Sequence, residues 1–239
     1  MYKNIEEFNL AYNSLHHAIA NKLNKSKKMS FKKLIDLAQT QNDKVISNYY
    51  EKLKFYNDFR NNITHNRSLT QEPYALPTDY LIDEMKVITQ SIEYPTTVID
   101  LFKTKVLSFN IHDSLADVLK AVEKNNYSQF PVFDDEELVG MITENGITNF
   151  LADKLEDDII SIKETSIKEV LRNDENFRSY DVINPNKSIY DIESMFDKRI
   201  REGNTTYFLL ISTNKKAKDK SSIQGIVTPW DIPKIVKNK

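Results

Sequence analysis

The first part of the chain shows apolar residues at helical spacing, three to four positions apart, with no strand-like alternation. One apolar stripe comprises Phe8, Tyr12, Leu15, Ile19 and Leu23. Ser30 is a candidate cap for a short helix through Leu37, Asp43 for a longer helix, and Thr78 or Asp79 begins a last one. This pattern predicts a four-helix domain over residues 1–92.

After Pro95 the pattern changes to short β-rich runs that alternate with helical segments. Strands are predicted at Val106–Phe109, Ser128–Phe133, Leu138–Ile142, Tyr207–Ser212 and Ile223–Val227. The change of period at Pro95 predicts a domain boundary. The predicted fold class is therefore α+β, with more than one domain.

The β-rich part also repeats its own order of elements. The repeated pairs are 97–102 and 166–171, 114–115 and 188–189, and 140–143 and 225–228. The copies differ in length mainly in polar segments such as residues 214–220, where loops are expected. The order of elements is the same in both copies, so we interpret this part as two copies of one structural unit.

The composition limits the classes of function. The chain is 40% hydrophobic and 28% charged, which is typical of a globular protein. It contains no cysteine, which excludes disulfides, thiolate zinc sites and cysteine nucleophiles. No apolar run approaches the ~20 residues of a membrane span, and the start of the chain lacks the apolar core of a signal peptide. We therefore expect a cytoplasmic protein with no membrane partner, no metal site and no catalytic cofactor.

The repeated segments resemble the CBS domain, which normally occurs as two copies packed together in a Bateman module. In the first copy, Pro131 and Val132 match the family's Pro-Val strand. In the second copy, residues 225–231 read GIVTPWD and match the family's glycine, two apolar residues, threonine and aspartate. The resemblance implies that the four-helix domain is followed by two βαββα CBS repeats, at residues 96–155 and 156–239, packed as a pair.

The resemblance also implies an adenine-nucleotide site around Thr228 and Asp231. In the family, the aspartate holds the ribose hydroxyls, and the threonine lies beside the ribose and phosphate at the start of a helix. The adenine is held by an entry segment, which the repeat places at Val182, Ile183 and Asn184. The same residues also suit a plain helix start, with a threonine cap, proline first and an acid third. Capping alone therefore stays open as an alternative.

The first copy departs from the family pattern. Thr143 keeps its place, but Gly146 stands at the position that corresponds to Asp231. A glycine has no side chain to hold a ribose. We therefore expect two unequal sites, one around Thr228 and a second around Thr143 that is degenerate or adapted to another ligand.

A short motif in the helical part, from Arg60 to His65, resembles the signature of HEPN domains. Many members of that family are metal-independent ribonucleases whose site forms between two protomers. The resemblance implies that His65 acts as general base on an RNA 2′-hydroxyl and that Arg60 stabilises the phosphate. Two alternatives stay open: an inactive HEPN-like module for binding or dimerisation, and an unrelated helical domain in which the dipole of the helix favours His65 at its end.

Functions from different classes are consistent with these features. The first is a regulatory sensor, in which the CBS pair of a homodimer binds AMP, ADP or ATP and controls the helical domain or a partner. The second is a nucleotide-gated ribonuclease that acts on RNA through Arg60 and His65. A third, a ligand-free CBS dimerisation scaffold, is suggested by the missing acid at Gly146.

Overall fold

The structure is a computed structural model that describes residues 3–65, 72–155, 160–174 and 177–239, without the side chain of His65. The chain divides into two compact units. The first comprises residues 1–96, to which Lys239 also belongs, and the second comprises residues 97–238. We call them the helical unit and the mixed unit.

The helical unit consists of α-helices in its described part. They are α1 (Lys3–Lys22), α2 (Phe31–Thr40), α3 (Lys44–Asn48), α4 (Tyr50–His65) and α5 (Asp79–Glu93). The predicted stripe on α1 is buried, with Phe8, Leu15 and Ile19 fully inaccessible to solvent. The Asp43 side chain caps the short α3 by accepting a hydrogen bond from the backbone N–H of Ile46 at 2.9 Å. The predicted four helices are thus present, but the segment after Asp43 is divided, so that Asp43 caps the short α3 and not the longer α4.

The mixed unit contains two repeats of the same elements. The first has α6 (Val98–Phe102), β1 (Phe109–Asn110), α7 (Leu115–Asn125), β2 (Gln129–Asp134), β3 (Glu137–Thr143) and α8 (Glu144–Asp153). The second has α9 (Ile167–Arg172), β4 (Tyr180–Ile183), α10 (Ile189–Arg201), β5 (Phe208–Ser212), β6 (Ile223–Val227) and α11 (Ile232–Lys237). A short 3₁₀ turn, Pro229–Asp231, separates β6 from α11.

Both repeats build the same three-stranded sheet. In the first, β1 pairs parallel with β2, which pairs antiparallel with β3. In the second, β4, β5 and β6 repeat this arrangement. The predicted first strand, Val106–Phe109, was wrong in extent, because strand pairing begins only at Phe109. The preceding residues bond to the other repeat, where the Thr104 N–H donates to the Gln224 carbonyl at 2.9 Å.

The two repeats exchange their first helices. Helix α6 of the first repeat packs on β6 of the second, and α9 of the second repeat packs on β3 of the first. Ile167 and Val170 of α9 are fully buried in the same hydrophobic cluster as Phe130 and Val132 of the first repeat. Burying an aliphatic side chain of this size contributes roughly 1.5–3 kcal/mol. The exchange therefore contributes to the stability of both repeats and makes the mixed unit one compact body.

Gly140 and Gly225 occupy equivalent positions where an exchanged segment crosses a strand. A Cβ atom at Gly225 would lie 2.3 Å from the carbonyl oxygen of Phe102. A Cβ atom at Gly140 would lie 2.9 Å from the carbonyl oxygen of Phe177. Both neighbours are backbone atoms, so the close approach requires a residue without a side chain.

Candidate functional site

A cavity of about 330 Å³ lies in the mixed unit beside the end of β6. Its walls come from both repeats. The first repeat contributes residues 104–107 and 126–130, and the second contributes Ile226, Thr228 and Asp231. Thr228 and Asp231, which the sequence predicts to act together, therefore line the same cavity.

Local chemistry explains how Thr228 and Asp231 are held. Thr228 follows β6, and Pro229 occupies the first position of the turn, where its fixed φ suits a helix start and its missing N–H costs nothing. The Asp231 Oδ2 accepts hydrogen bonds from the Thr228 N–H at 2.9 Å and from the Thr228 hydroxyl at 3.1 Å. These bonds form the predicted cap. Within the described residues the other oxygen, Oδ1, has no hydrogen-bond partner, so the cap leaves one acceptor available to a ligand.

The structure places the predicted adenine-binding segment at a cavity that does not include Thr228 or Asp231. Val182, Ile183 and Asn184 line a different cavity, of about 460 Å³, together with residues such as Asp181 and Met195. The segment beside Thr228 is residues 104–107 of the first repeat. The reason is the exchange: residues after α6 cross to β6, so each threonine faces the entry segment of the other repeat.

Lys105, Tyr127 and Ser128 are cavity residues that the sequence analysis missed. Lys105 is exposed to solvent, and Tyr127 is 49% exposed. Neither belongs to a motif, and their places in the repeat do not tell which threonine they face. Their place in the cavity becomes visible only in the folded unit, where residues 104–107 cross to β6 and bring the first repeat beside Thr228.

In the first repeat, the space beside Thr143, the residue equivalent to Thr228, is filled by the side chain of Asp174. The Thr143 hydroxyl accepts a hydrogen bond from the Gly146 N–H at 3.0 Å and donates one to the Asp174 Oδ2 at 3.1 Å. Asp174 is only 4% exposed, and a Cβ atom at Gly146 would lie 2.3 Å from its Oδ2. Asp174 follows α9 as Lys105 follows α6, so the two residues are equivalent in the repeat. At this position one threonine site thus has a lysine and the other an aspartate.

Arg60, one of the two predicted catalytic residues, is half-buried on α4. Its guanidinium carbon lies 5.9 Å from the centre of the Tyr12 ring, within range of a cation–π contact. The Tyr12 hydroxyl donates to the Asn57 side chain at 3.0 Å, and burial raises the pKa of Tyr12 to about 12. These contacts give Arg60 a packing role between α4 and α1. The side chain of His65 lies outside the described residues, so its pairing with Arg60 stays a prediction.

In the described part of the chain, no three or more histidine, aspartate or glutamate side chains are grouped in a way that would hold a metal ion. Within the same residues, no helix has both the length and the apolar character needed to cross a membrane.

Comparison with known proteins adds a family assignment for part of the chain. Residues 98–153 match the model of the CBS domain family. No curated protein matches the chain.

Three similar solved structures cover 58–60% of this chain. The CBS domains of a transcriptional regulator from Streptococcus pneumoniae are 20% identical, with a TM-score of 0.41, over 58% of this chain and 98% of that one. A putative acetoin utilization protein, AcuB, from Vibrio cholerae is 16% identical, with a TM-score of 0.44, over 60% and 92%. The CBS domain pair of protein MJ0100, in complex with 5′-methylthioadenosine and S-adenosyl-L-methionine, is 19% identical, with a TM-score of 0.42, over 60% and 97%.

The fold class predicted from the sequence is confirmed: a helical unit precedes a mixed unit with two repeats of one topology. The HEPN resemblance of the helical unit stays a prediction. Residues 98–153 match the CBS domain family, and the second repeat has the same order of elements and the same sheet topology as the first.

Proposed function

We propose that the mixed unit binds an adenine nucleotide (AMP, ADP or ATP) in the cavity at Thr228 and Asp231 and acts as a regulatory sensor. The observation that supports the proposal most strongly is that both residues line one cavity of about 330 Å³. Cavities of roughly 300–1,000 Å³ with apolar walls and a few polar groups are typical of small-molecule sites.

The chemistry of the walls suits the parts of a nucleotide. Val106, Leu107 and Ile226 provide apolar surface for a purine ring. The free Oδ1 of Asp231 is an acceptor for a ribose hydroxyl, and a hydrogen bond to a carboxylate is stronger than one between neutral groups. The hydroxyl of Thr228 lies beside that carboxylate. The proposed site therefore joins an apolar surface to a charged acceptor.

Regulation follows from the origin of the walls in both repeats. A ligand that contacts residues 104–107 and Asp231 together binds most tightly to one relative placement of the two repeats. A rise in the concentration of this ligand would increase the fraction of molecules that have that placement. We propose that the helical unit, or a partner, responds to this shift. The homodimer and the ribonuclease activity on RNA that the sequence suggested stay predictions.

The test is Asp231→Ala in the full chain, with AMP, ADP and ATP titrated by calorimetry. Loss of a hydrogen bond to a charged group costs about 1.5–3 kcal/mol, so affinity should fall at least about tenfold. Loss of the cap should lower the free energy of unfolding by only about 1 kcal/mol. Trp230, the single tryptophan, is 92% exposed and adjoins Asp231, so its fluorescence offers a second readout.

Asp100→Ala is the matched control. The Asp100 carboxylate makes the same two bonds, to the Thr97 N–H at 2.9 Å and to the Thr97 hydroxyl at 2.6 Å, but Asp100 does not line the cavity. It should lose a similar stability and retain the parent affinity. Equal affinities for the parent and Asp231→Ala, or no binding of any adenine nucleotide by the parent, would refute the proposal.

A further inference from the structure

We infer that Lys105 selects for a phosphorylated ligand at this site, so that AMP binds more tightly than adenosine. The inference rests on the proposed function and deepens it. It assigns to one side chain the recognition of the phosphate, a role that the sequence had given to Thr228 and the start of a helix.

The backbone near Thr228 has few N–H groups available for a phosphate. Pro229 has none, and the Thr228 N–H donates to Asp231. The Asp231 N–H donates to the Thr228 carbonyl, and the Ile232 N–H donates to the Pro229 carbonyl. The helix that follows, α11, has only six residues. A phosphate at this cavity therefore finds few backbone donors, and its charge is best matched by a side chain with positive charge.

Lys105 meets that need. Lys105 and Asp231 are the charged residues among those that line the cavity. Lys105 is exposed, and it forms no ion pair with any described residue. Its ammonium group has three donors on a flexible stem, which suits a phosphate. With the carboxylate facing a ribose and the ammonium facing a phosphate, the two charges match the two polar parts of a nucleotide.

The first repeat provides an independent contrast. At the position equivalent to Lys105 the first repeat has Asp174, which is buried and accepts a hydrogen bond from the Thr143 hydroxyl. There the Asp174 side chain fills the space beside Thr143, and no cationic side chain stands at that position. The cation therefore stands at the threonine site where Asp231 leaves a carboxylate oxygen without a partner among the described residues. From this difference between the two threonine sites we infer that the positive charge of Lys105 contacts the phosphate of the ligand.

The experiment compares AMP and adenosine, which differ only in the phosphate, by calorimetry on the full chain. The parent should bind AMP at least about tenfold more tightly than adenosine, as expected for a charge-assisted contact. Lys105→Gln should abolish most of that difference by weakening AMP binding, while adenosine binding stays within about twofold. The AMP preference of the parent should also shrink at high salt, because the site is partly open to solvent.

Lys103→Gln is the matched control, since Lys103 is exposed, lies two residues away and does not line this cavity. It should bind both ligands as the parent does. If the parent binds AMP and adenosine equally and Lys105→Gln changes neither, the role of Lys105 is refuted while the proposed function stands. If the parent binds neither compound, both fail. If Lys103→Gln weakens AMP binding as much as Lys105→Gln, the effect is general surface charge and the assignment to Lys105 is wrong.

Discussion

Thr143 and Thr228 are equivalent residues of the two repeats, each at the end of a β-strand, yet their surroundings differ. Thr228 bonds to Asp231 within its own turn and lines a cavity. Thr143 bonds to Asp174, which comes from the other repeat. The same backbone arrangement therefore supports an open site in one place and an internally filled one in the other. A threonine that matches the family motif is thus not sufficient evidence for a ligand site.

The largest expected effect concerns the crossing glycines, which the two repeats share. Gly225→Ala should lower the free energy of unfolding by about 1–3 kcal/mol or more, because its Cβ would lie 2.3 Å from a backbone oxygen. Gly140→Ala should cost less, since the nearest atoms are the Phe177 ring at 2.7 Å and the Phe177 carbonyl oxygen at 2.9 Å. Urea denaturation measures both. If Gly225→Ala lowered the free energy of unfolding less than Gly140→Ala does, the close contact of Gly225 with the Phe102 carbonyl would be contradicted.

A smaller effect is expected at the filled site. Gly146→Ala should destabilise the protein by about 1–2 kcal/mol, because overpacking against Asp174 outweighs the ~1 kcal/mol that alanine adds to a helix over glycine. In an Asp174→Ala background the same change should be nearly neutral or stabilising, because the nearest carboxylate atoms are gone.

A double-mutant cycle at equilibrium measures the coupling between positions 146 and 174. Additive effects would mean that Asp174 does not fill the space beside Gly146. The cycle also bears on ligand binding, since neither change alters the cavity at Asp231. AMP affinity should therefore be the same in both single variants and in the parent.

The smallest effect concerns the start of each repeat, where the two copies agree. Hydrogen bonds from Thr97 lower the pKa of Asp100, and hydrogen bonds from Ser166 lower the pKa of Glu169. A carboxylate with a lowered folded-state pKa stabilises the protein above its unfolded pKa, and that stability is lost as the pH falls through the folded value.

Asp100→Asn and Glu169→Gln should each cost only about 0.5 kcal/mol at pH 7, because both carboxylates are exposed and screened. In each variant the free energy of unfolding should also decrease less than in the parent between about pH 5 and pH 3. Denaturation at a series of pH values checks both. A steeper fall in either variant would contradict the sign of the pKa shift.

Much of the fold follows from local pattern. The stripe at Phe8, Leu15 and Ile19 predicts α1, and the repeated GMIT and GIVT segments predict β3 and β6. The prediction of adenine contacts from Val182, Ile183 and Asn184 assumed that each repeat completes its own site, whereas the walls of the cavity at Thr228 come from both repeats. Equivalent positions in a repeat identify equivalent elements, but they do not tell which copy those elements contact.

By itself the sequence determined the two kinds of structure, the repeat, and the Thr228–Asp231 cap, because these depend on periodicity and on bonds between residues three positions apart. Only the tertiary structure decided that residues 104–107 face Thr228 and that Asp174 fills the space beside Thr143. The physical reason is that these contacts join segments far apart in the chain, as when the Thr104 N–H bonds to Gln224. Such pairings depend on the packing of α6 on β6 and of α9 on β3, which no local pattern encodes.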